Sequence, residues 1–181
     1  MRIEDCPAGE NILYLEQSIE LIDRLDDAVY AGGPQGRFRG GVGGQFRHCI
    51  DFYTCFLSGY AEGRIDYSRR ERDARVEVDR QHASRRLRNL VVALRRIDRG
   101  RLGDELGVRS DDSRLDDDAL RWSRSTVLRE LHFLLSHTIH HQALIVALLE
   151  GQGVDPGRQF AEFGVAPSTA NHWKEADTIA T

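Results

Sequence analysis

The chain has 181 residues, of which 40% are hydrophobic, and its 25 Lys and Arg residues against 29 Asp and Glu residues give a net charge of −4. This composition fits one domain spanning residues 1–181 and excludes a disordered chain. No stretch approaches the roughly 18 consecutive apolar residues of a membrane helix, and the first residues lack the apolar core of a signal peptide. We therefore expect a soluble, cytoplasmic protein with no membrane partner.

The cysteines carry little information about function. Cys6, Cys49 and Cys55 are an odd number and show no Cys-x-x-Cys spacing. This pattern indicates neither a disulfide framework nor a zinc site built from thiolates. We expect reduced thiols that are mostly buried.

The positive charge is concentrated in residues 64–101, which hold 13 Arg and 6 acidic residues. Such a segment can bind nucleic acid, but Tyr67 is its only aromatic residue, so the stacking platforms of single-strand binders are missing. Acidic residues also alternate with the arginines, as on a solvated helix face. We therefore expect no nucleic-acid partner, and an intramolecular balance with the acidic residues 104–118.

Apolar spacing predicts two helices in the first third of the chain. The first has one apolar face, with residues three or four apart: Ile12, Leu15, Ile19, Ile22 and Val29. It ends at residues 31–34, and the glycine-rich residues up to Gly44 indicate a flexible connection, since the Gly-Lys-Ser/Thr ending of a phosphate loop is missing. Residues 45–60 are apolar all round, which predicts a largely buried second helix.

Two further helices are predicted after residue 80. The third carries an inward apolar face and ends at Gly100; its inward residues are Ala83, Leu87, Leu90, Val91, Leu94 and Ile97. Residues 101–124 lack a helical period, and residues 102–108 are compatible with a strand or hairpin. The last helix covers residues 126–150, with Ser125 as its cap. Four long helices with a long irregular insertion before the last predict an all-α four-helix bundle, with a core of about residues 9–151 and a packed extension at 152–181.

The chemistry of the chain is concentrated in the last helix. His137 and His141 are four residues apart, so they lie about 40° apart around the helix axis. Their face also carries leucines, so both imidazoles point inward, as neutral core histidines or as metal ligands. His48, on the buried second helix, is a third inward candidate, and three histidines would leave an open coordination position for water or substrate.

Three polar residues are candidates for orienting these imidazoles or moving protons. Asp51 lies one turn beyond His48, Glu130 lies on the face of His137 two to three turns earlier, and His140 lies to one side of the pair. Asp51 and Glu130 can each also be explained as ordinary ion-pair partners of the many arginines. Glu130 is at least about 10 Å away along the axis, which favours that alternative for it.

Four segments together resemble the DinB-like superfamily. In chain order they are Gly44-Gln-Phe-Arg-His48-Cys-Ile-Asp51-Phe-Tyr, Ile65-Asp66-Tyr67-x-x-Arg70-x-Arg72-Asp73, Arg129-Glu-Leu-His-Phe-Leu-Leu-Ser-His137-Thr-Ile-His140-His141 and Phe163-Gly-Val-Ala-Pro-Ser-Thr. The resemblance covers nearly the whole chain in the right order, and the combination is considerably more specific than His-x-x-x-His alone.

The resemblance implies an up-down-down-up four-helix bundle, with a divalent ion held by His48 on the second helix and by His137 and His141 on the last. Characterised members include metal-dependent thiol transferases and isomerases that use small thiols such as bacillithiol or mycothiol. Zinc and nickel both occur in the family, and homodimers are frequent. We therefore expect zinc or nickel as the metal and a low-molecular-weight thiol as cosubstrate, and a homodimer is compatible with the resemblance.

Asp66, Tyr67 and Arg70 form a donor-rich cluster between two predicted helices and are candidates for binding the substrate. A hydrogen-bonded loop anchor explains the same residues at least as well.

Three interpretations of the chain remain open. The first is a metal-dependent enzyme acting on a small molecule, with thiol S-transferase-like or hydrolase-like chemistry through a metal-activated thiol or water. The second is a non-catalytic, metal-containing stress or interaction protein, and the third is a bundle whose histidines are only structural. The order of preference is the order given, and the sequence identifies no catalytic residue beyond the ligands.

Overall fold

The computed structural model describes residues 6–32, 40–110, 121–157 and 160–179. In this part of the chain the elements are α1 (Gly9–Arg24), α2 (Asp27–Ala31), α3 (Gly41–Gly59), β1 (Arg64–Asp66), α4 (Ala74–Val78), α5 (Arg80–Leu94), β2 (Glu105–Arg109), β3 (Trp122–Thr126), α6 (Val127–Gly151) and α7 (Pro167–Ile179). The fold is mostly helical, with a small sheet that the predicted all-α fold did not include. None of the described helices has the length and apolar character needed to span a membrane.

Four long helices surround the core. α1 packs against α5 and α6, and α3 packs against the same two helices. Their inward faces supply fully buried side chains, among them Ile12, Phe46, Leu87 and Leu134. The three-to-four spacing of apolar residues explains this arrangement, since it places them along one side of each helix. The inward faces predicted for the first and third helices are confirmed in α1 and α5, but α5 ends at Leu94 and not at Gly100, so the buried Ile97 lies beyond it.

The first helix is shorter than its apolar face predicted. α1 ends at Arg24, Leu25 is extended with φ −74° and ψ 146°, and the separate helix α2 carries Val29. Leu25 and Tyr30 are both buried, so the break keeps apolar residues on either side of it in contact with the core. The prediction of one continuous helix was wrong because apolar spacing alone does not locate such a break.

The glycine-rich connection is partly helical. α3 begins at Gly41, ahead of the start predicted at residue 45. A Cβ atom on Gly43 would lie 2.0 Å from the backbone oxygen of Glu77, so α3 passes the end of α4 at a distance that only glycine permits. Residues 33–39, the rest of this connection, lie outside the described residues.

The three strands form one sheet in the order β1, β2, β3. β1 runs parallel to β2, with Ile65 opposite Val108, and β3 runs antiparallel to β2, with Leu106 opposite Ser125. β2 overlaps residues 102–108, which the sequence left open as a strand or hairpin, whereas β1 and β3 were not predicted. The insertion before α6 therefore contains a β-strand near its beginning and another at its end. Residues 111–120, between these two strands, lie outside the described residues.

The cap of the last long helix is one residue later than predicted. α6 begins at Val127, and the Thr126 side-chain oxygen accepts a hydrogen bond from the Arg129 backbone N–H at 3.2 Å. Ser125 instead donates its hydroxyl proton to Glu130. Both residues suit a cap chemically and both belong to β3, and Thr126 is the one directly before the first helical residue.

The arginines of residues 64–101 pair within the molecule. Arg88 lies 2.6 Å from a carboxylate oxygen of Asp23, and Arg95 lies 2.8 Å from one of Glu16, and both of these acids are on α1. The expected balance with residues 104–118 is seen where Arg101 contacts Asp104 at 2.9 Å. Residues 111–118 lie outside the described residues, so the rest of that prediction stays a prediction.

The segment that follows α6 contacts α1 and α6. The Tyr14 hydroxyl donates to the Val165 carbonyl at 2.9 Å, and the Gly164 N–H donates to the Gln142 side-chain oxygen at 3.2 Å. Gly164 has φ +77°, and a Cβ atom there would lie 2.4 Å from the Ala143 nitrogen. Glycine therefore allows this segment to approach α6 closely.

Replacing Gly43 by alanine tests the close approach of α3 and α4. We expect Gly43→Ala to lower the free energy of unfolding by about 1–3 kcal/mol, because the added methyl group overlaps the Glu77 backbone. Urea denaturation followed by circular dichroism measures this change. Gly151→Ala is the matched control, since a Cβ atom at Gly151 meets nothing within 4 Å. Equal stability of the two variants would contradict the explanation.

Candidate metal centre

The packing of α3 against α6 brings three histidines together. His48 lies on α3, and His137 and His141 lie one turn apart on α6. One ring nitrogen of each lies within 4.8 Å of the others, and the three ring centres are 4.5–5.0 Å apart. All three side chains are half-buried. The sequence prediction that these residues meet is confirmed, and their donor atoms can hold a metal ion.

Burial keeps these imidazoles neutral. Desolvation lowers the pKa of His48 to about 4, with further contributions from His141 and from Arg70. Desolvation and His48 lower the pKa of His137 to about 4, and desolvation and His137 do the same for His141. A metal ion competes with protons for the ring nitrogen, so a neutral imidazole is the form that binds metal.

A glutamine fixes the orientation of one imidazole. His141 Nδ1 lies 2.7 Å from the side-chain oxygen of Gln45, a buried residue on α3. Because that oxygen can only accept, Nδ1 carries the proton and Nε2 keeps its lone pair for a ligand bond. The sequence prediction did not include Gln45, although its position three residues before His48 puts both on one side of α3.

The fit to a metal ion rests on a buried atom of His137. Its Nε2 atom is buried and has no hydrogen-bond partner among the described residues. A buried ring nitrogen without a partner is costly, and most such atoms in folded proteins are paired. A divalent ion held jointly with His48 and His141 would supply the missing partner. The residues present therefore fit a metal ion.

Aromatic rings form a wall on one side of the histidines. The Phe52 ring centre lies 4.4 Å from that of His137 and 4.9 Å from that of His48. Phe133 lies 5.6 Å from His137, and Tyr67 stacks on Phe52 at 5.0 Å. This wall limits the access of water to the imidazoles. Phe52 and Phe133 were not predicted as site residues, since their positions follow from the contact between α3 and α6.

Glu130 is completely buried and binds three other side chains. It accepts hydrogen bonds from the Tyr67 hydroxyl at 2.9 Å, the Ser125 hydroxyl at 2.5 Å and Arg129 Nη1 at 2.9 Å. Among the described residues it makes no hydrogen bond to an imidazole. Glu130 contacts the aromatic wall through Tyr67, and its role in proton transfer stays a prediction.

Asp51 is also buried, and its partners are arginine and backbone. It accepts from Arg47 Nη1 at 2.8 Å and from the Arg72 backbone N–H at 3.2 Å, and Arg47 also binds Glu77 at 2.6 Å. Burial raises the pKa of Asp51, and Arg47 opposes that rise. Arg72 has φ +53°, so Asp51 helps to hold a backbone conformation that is unusual for a residue with a side chain. A direct action of Asp51 on His48 stays a prediction.

The remaining polar candidates lie at the edge of the site. The Asp66 carboxylate accepts from the Ser68 N–H and hydroxyl at 3.0 and 2.5 Å, as a loop anchor would. The Arg70 guanidinium carbon lies 5.2 Å from the centre of the Phe52 ring, beside the histidines. His140 is exposed, with its ring 5.2 Å from that of His141.

The three cysteines are free and buried. Burial raises the pKa of Cys49 to about 12 and that of Cys55 to about 11, so both thiols stay protonated at neutral pH. A cysteine binds a metal ion as its thiolate, so the raised pKa values of these two thiols favour the histidines as the donor set.

Comparison of the chain with protein-family models gives no match, and comparisons with curated proteins and with solved structures give none either. The proposed function therefore depends on the geometry of the three histidines and on the sequence resemblance.

Replacing Gln45 tests its role in orienting His141. We expect Gln45→Leu to weaken zinc binding by about 10–100-fold, because His141 Nδ1 then has no acceptor and the ring loses its fixed orientation. Gln45→Glu keeps the acceptor and should retain binding. Competition with a chromogenic chelator measures the affinity, and Gln81→Leu, an exposed position on α5, is the matched control. Unchanged affinity in Gln45→Leu, at unchanged thermal stability of the metal-free protein, would contradict this role.

Proposed function

We propose that the chain is a DinB-like protein that binds a divalent metal ion through His48, His137 and His141 and uses it as a metal-dependent enzyme on a small molecule. The convergence of three neutral, half-buried imidazoles carries this proposal. The packing of α1, α3, α5 and α6 around one core supports the up-down-down-up bundle that the resemblance implies.

The number of ligands supports an enzyme over a purely structural metal protein. Structural zinc sites have four protein ligands, whereas catalytic sites have three and keep one position for water or substrate. Among the described residues no fourth histidine, cysteine or carboxylate joins the three histidines. All three imidazoles are half-buried, so part of each residue remains exposed to solvent.

A bound divalent ion would act as a Lewis acid and would lower the pKa of a bound thiol or water molecule towards neutral pH. The chain contributes orientation and partial exclusion of water. Gln45 holds the His141 ring in one tautomer, and Phe52 and Phe133 pack against His137. The proposed chemistry is thiol S-transferase-like or hydrolase-like, as the resemblance implies, with a low-molecular-weight thiol as the cosubstrate of the first.

Zinc and nickel are the proposed metals. Imidazole nitrogens suit both ions, and the donor set contains no thiolate that would favour a softer metal.

Metal analysis tests the ligand set. We expect protein purified without a histidine tag to hold about one zinc or nickel ion per chain, and we expect His48→Ala, His137→Ala and His141→Ala each to lose it, since two imidazoles bind far more weakly than three. Elemental analysis of dialysed protein measures the content. His132→Ala, an exposed histidine on α6, is the matched control and should keep the ion. Metal retained by all three ligand variants would refute the assignment.

A thiol-transfer screen tests the catalytic proposal. We expect the metal-loaded protein to accelerate the reaction of a small thiol with the electrophile monochlorobimane, and we expect His137→Ala to abolish the acceleration, because the metal no longer lowers the thiol pKa. Fluorescence follows the product for a panel of thiols, and hydrolysis of activated esters is followed in parallel. A fully loaded protein inactive in both assays would favour the non-catalytic metal protein.

A further inference from the structure

Phe52 packs against two of the three candidate ligands. Its ring centre lies 4.4 Å from that of His137 and 4.9 Å from that of His48. His141 has the Gln45 side-chain oxygen as an acceptor, whereas the buried Nε2 atom of His137 has no hydrogen-bond partner among the described residues. Because side chains in a close-packed region limit one another's rotation, Phe52 restricts the orientations that His48 and His137 can adopt.

The ring of Phe52 is itself held by Tyr67. The two rings stack with their centres 5.0 Å apart and with 26° between their planes. Both side chains are buried, and Tyr67 directly follows β1. Since the two rings are in close contact, a displacement of the Tyr67 ring would change the space that Phe52 occupies beside the imidazoles.

Tyr67 is fixed both at its hydroxyl and at its backbone. The hydroxyl donates to Glu130 at 2.9 Å, and the backbone N–H donates to the Arg109 carbonyl at 2.9 Å. Glu130 is inaccessible to solvent and also accepts from Ser125 at 2.5 Å and from Arg129 at 2.9 Å. A buried acceptor with several donors has a well-defined position, so it fixes the end of the Tyr67 side chain.

We propose that Tyr67 is a positioning residue for the metal centre, because its anchored ring holds Phe52 in place against two of the ligands. The role of Glu130 in this proposal is to anchor the Tyr67 hydroxyl. This inference rests on the proposed function, because it requires the metal site. It goes further by making the affinity for the ion depend on a hydroxyl group that does not touch the ion, and by connecting the small sheet to the metal centre.

Removing that single hydroxyl tests the proposal. We expect Tyr67→Phe, which keeps the ring, to weaken cobalt binding by the full-length protein about 2–30-fold, as changes within a coupled packing network do. Competition with a chromogenic chelator measures the affinity. We also expect the visible absorption bands of the bound cobalt to change, since they report the geometry of its ligands. Wild-type affinity together with a wild-type spectrum in Tyr67→Phe would overturn the proposal.

Tyr30→Phe is the matched control. Tyr30 is completely buried, and its hydroxyl donates to the Val76 carbonyl at 2.7 Å. Its ring stacks on Phe46, and among the described residues it has no ring contact with a histidine. We expect Tyr30→Phe to lower the thermal stability of the protein but to keep the wild-type cobalt affinity and spectrum. An equal loss of affinity in the two variants would overturn the proposal, because general destabilisation would then explain both.

A double variant tests whether the effect passes through Phe52. We expect the effect of Tyr67→Phe on cobalt affinity to disappear in a Phe52→Leu background, because the stacked ring that transmits it is then missing. An effect of the same size in both backgrounds would overturn this path.

Hydrogen exchange of the wild-type protein tests the same coupling without any variant. Coupling between two sites is reciprocal, so bound cobalt should stabilise the anchored Tyr67. We expect cobalt to slow exchange in peptides that contain the Tyr67 N–H by a larger factor than in peptides of α5. An equal factor in both would overturn the proposal while leaving the metal site intact. Failure of the wild-type protein to take up cobalt would instead contradict the metal site on which the proposal rests.

Discussion

The packing of α3 against α6 is the contact on which the histidine site depends, because it joins His48 to the pair on α6. A buried polar network stabilises this contact. The Asn11 side chain donates to the Tyr53 hydroxyl at 3.0 Å and to the Leu131 carbonyl at 2.9 Å, and the Thr138 hydroxyl lies 3.2 Å from that of Tyr53. Because buried polar atoms are costly without partners, this network favours one rotation of α6 relative to α1 and α3.

Local regularity explains which parts of the molecule the sequence could predict. The spacing of His137 and His141 defines their shared face through the helical period alone, and the apolar surroundings of His48 indicate that it is buried. The inward face of α5 follows from the same period. These features depend on residues within a few turns of one another, so a single sequence contains the necessary information.

Features that depend on distant pairing could not be predicted in the same way. β1 pairs with β2, which lies some 40 residues further along the chain, and nothing local to Arg64–Asp66 indicates a partner at that separation. The Glu77 backbone leaves no room for a side chain at Gly43, and Gln45 contacts His141 only because α6 packs against α3. Of the candidate site, the three histidines were therefore predictable, whereas the residues that orient and surround them were not.

The buried carboxylates show how the fold controls the charge of the site. Glu130 and Asp51 are both almost completely inaccessible to solvent, and a buried carboxylate is tolerated only where donors surround it. Each has its own arginine and at least one further donor, so each is stabilised apart from the imidazoles. A carboxylate ligand would neutralise part of the charge of a metal ion and make it a weaker Lewis acid. By keeping both acids in separate hydrogen-bonded positions, the fold leaves three neutral imidazoles as the donor set of the candidate site.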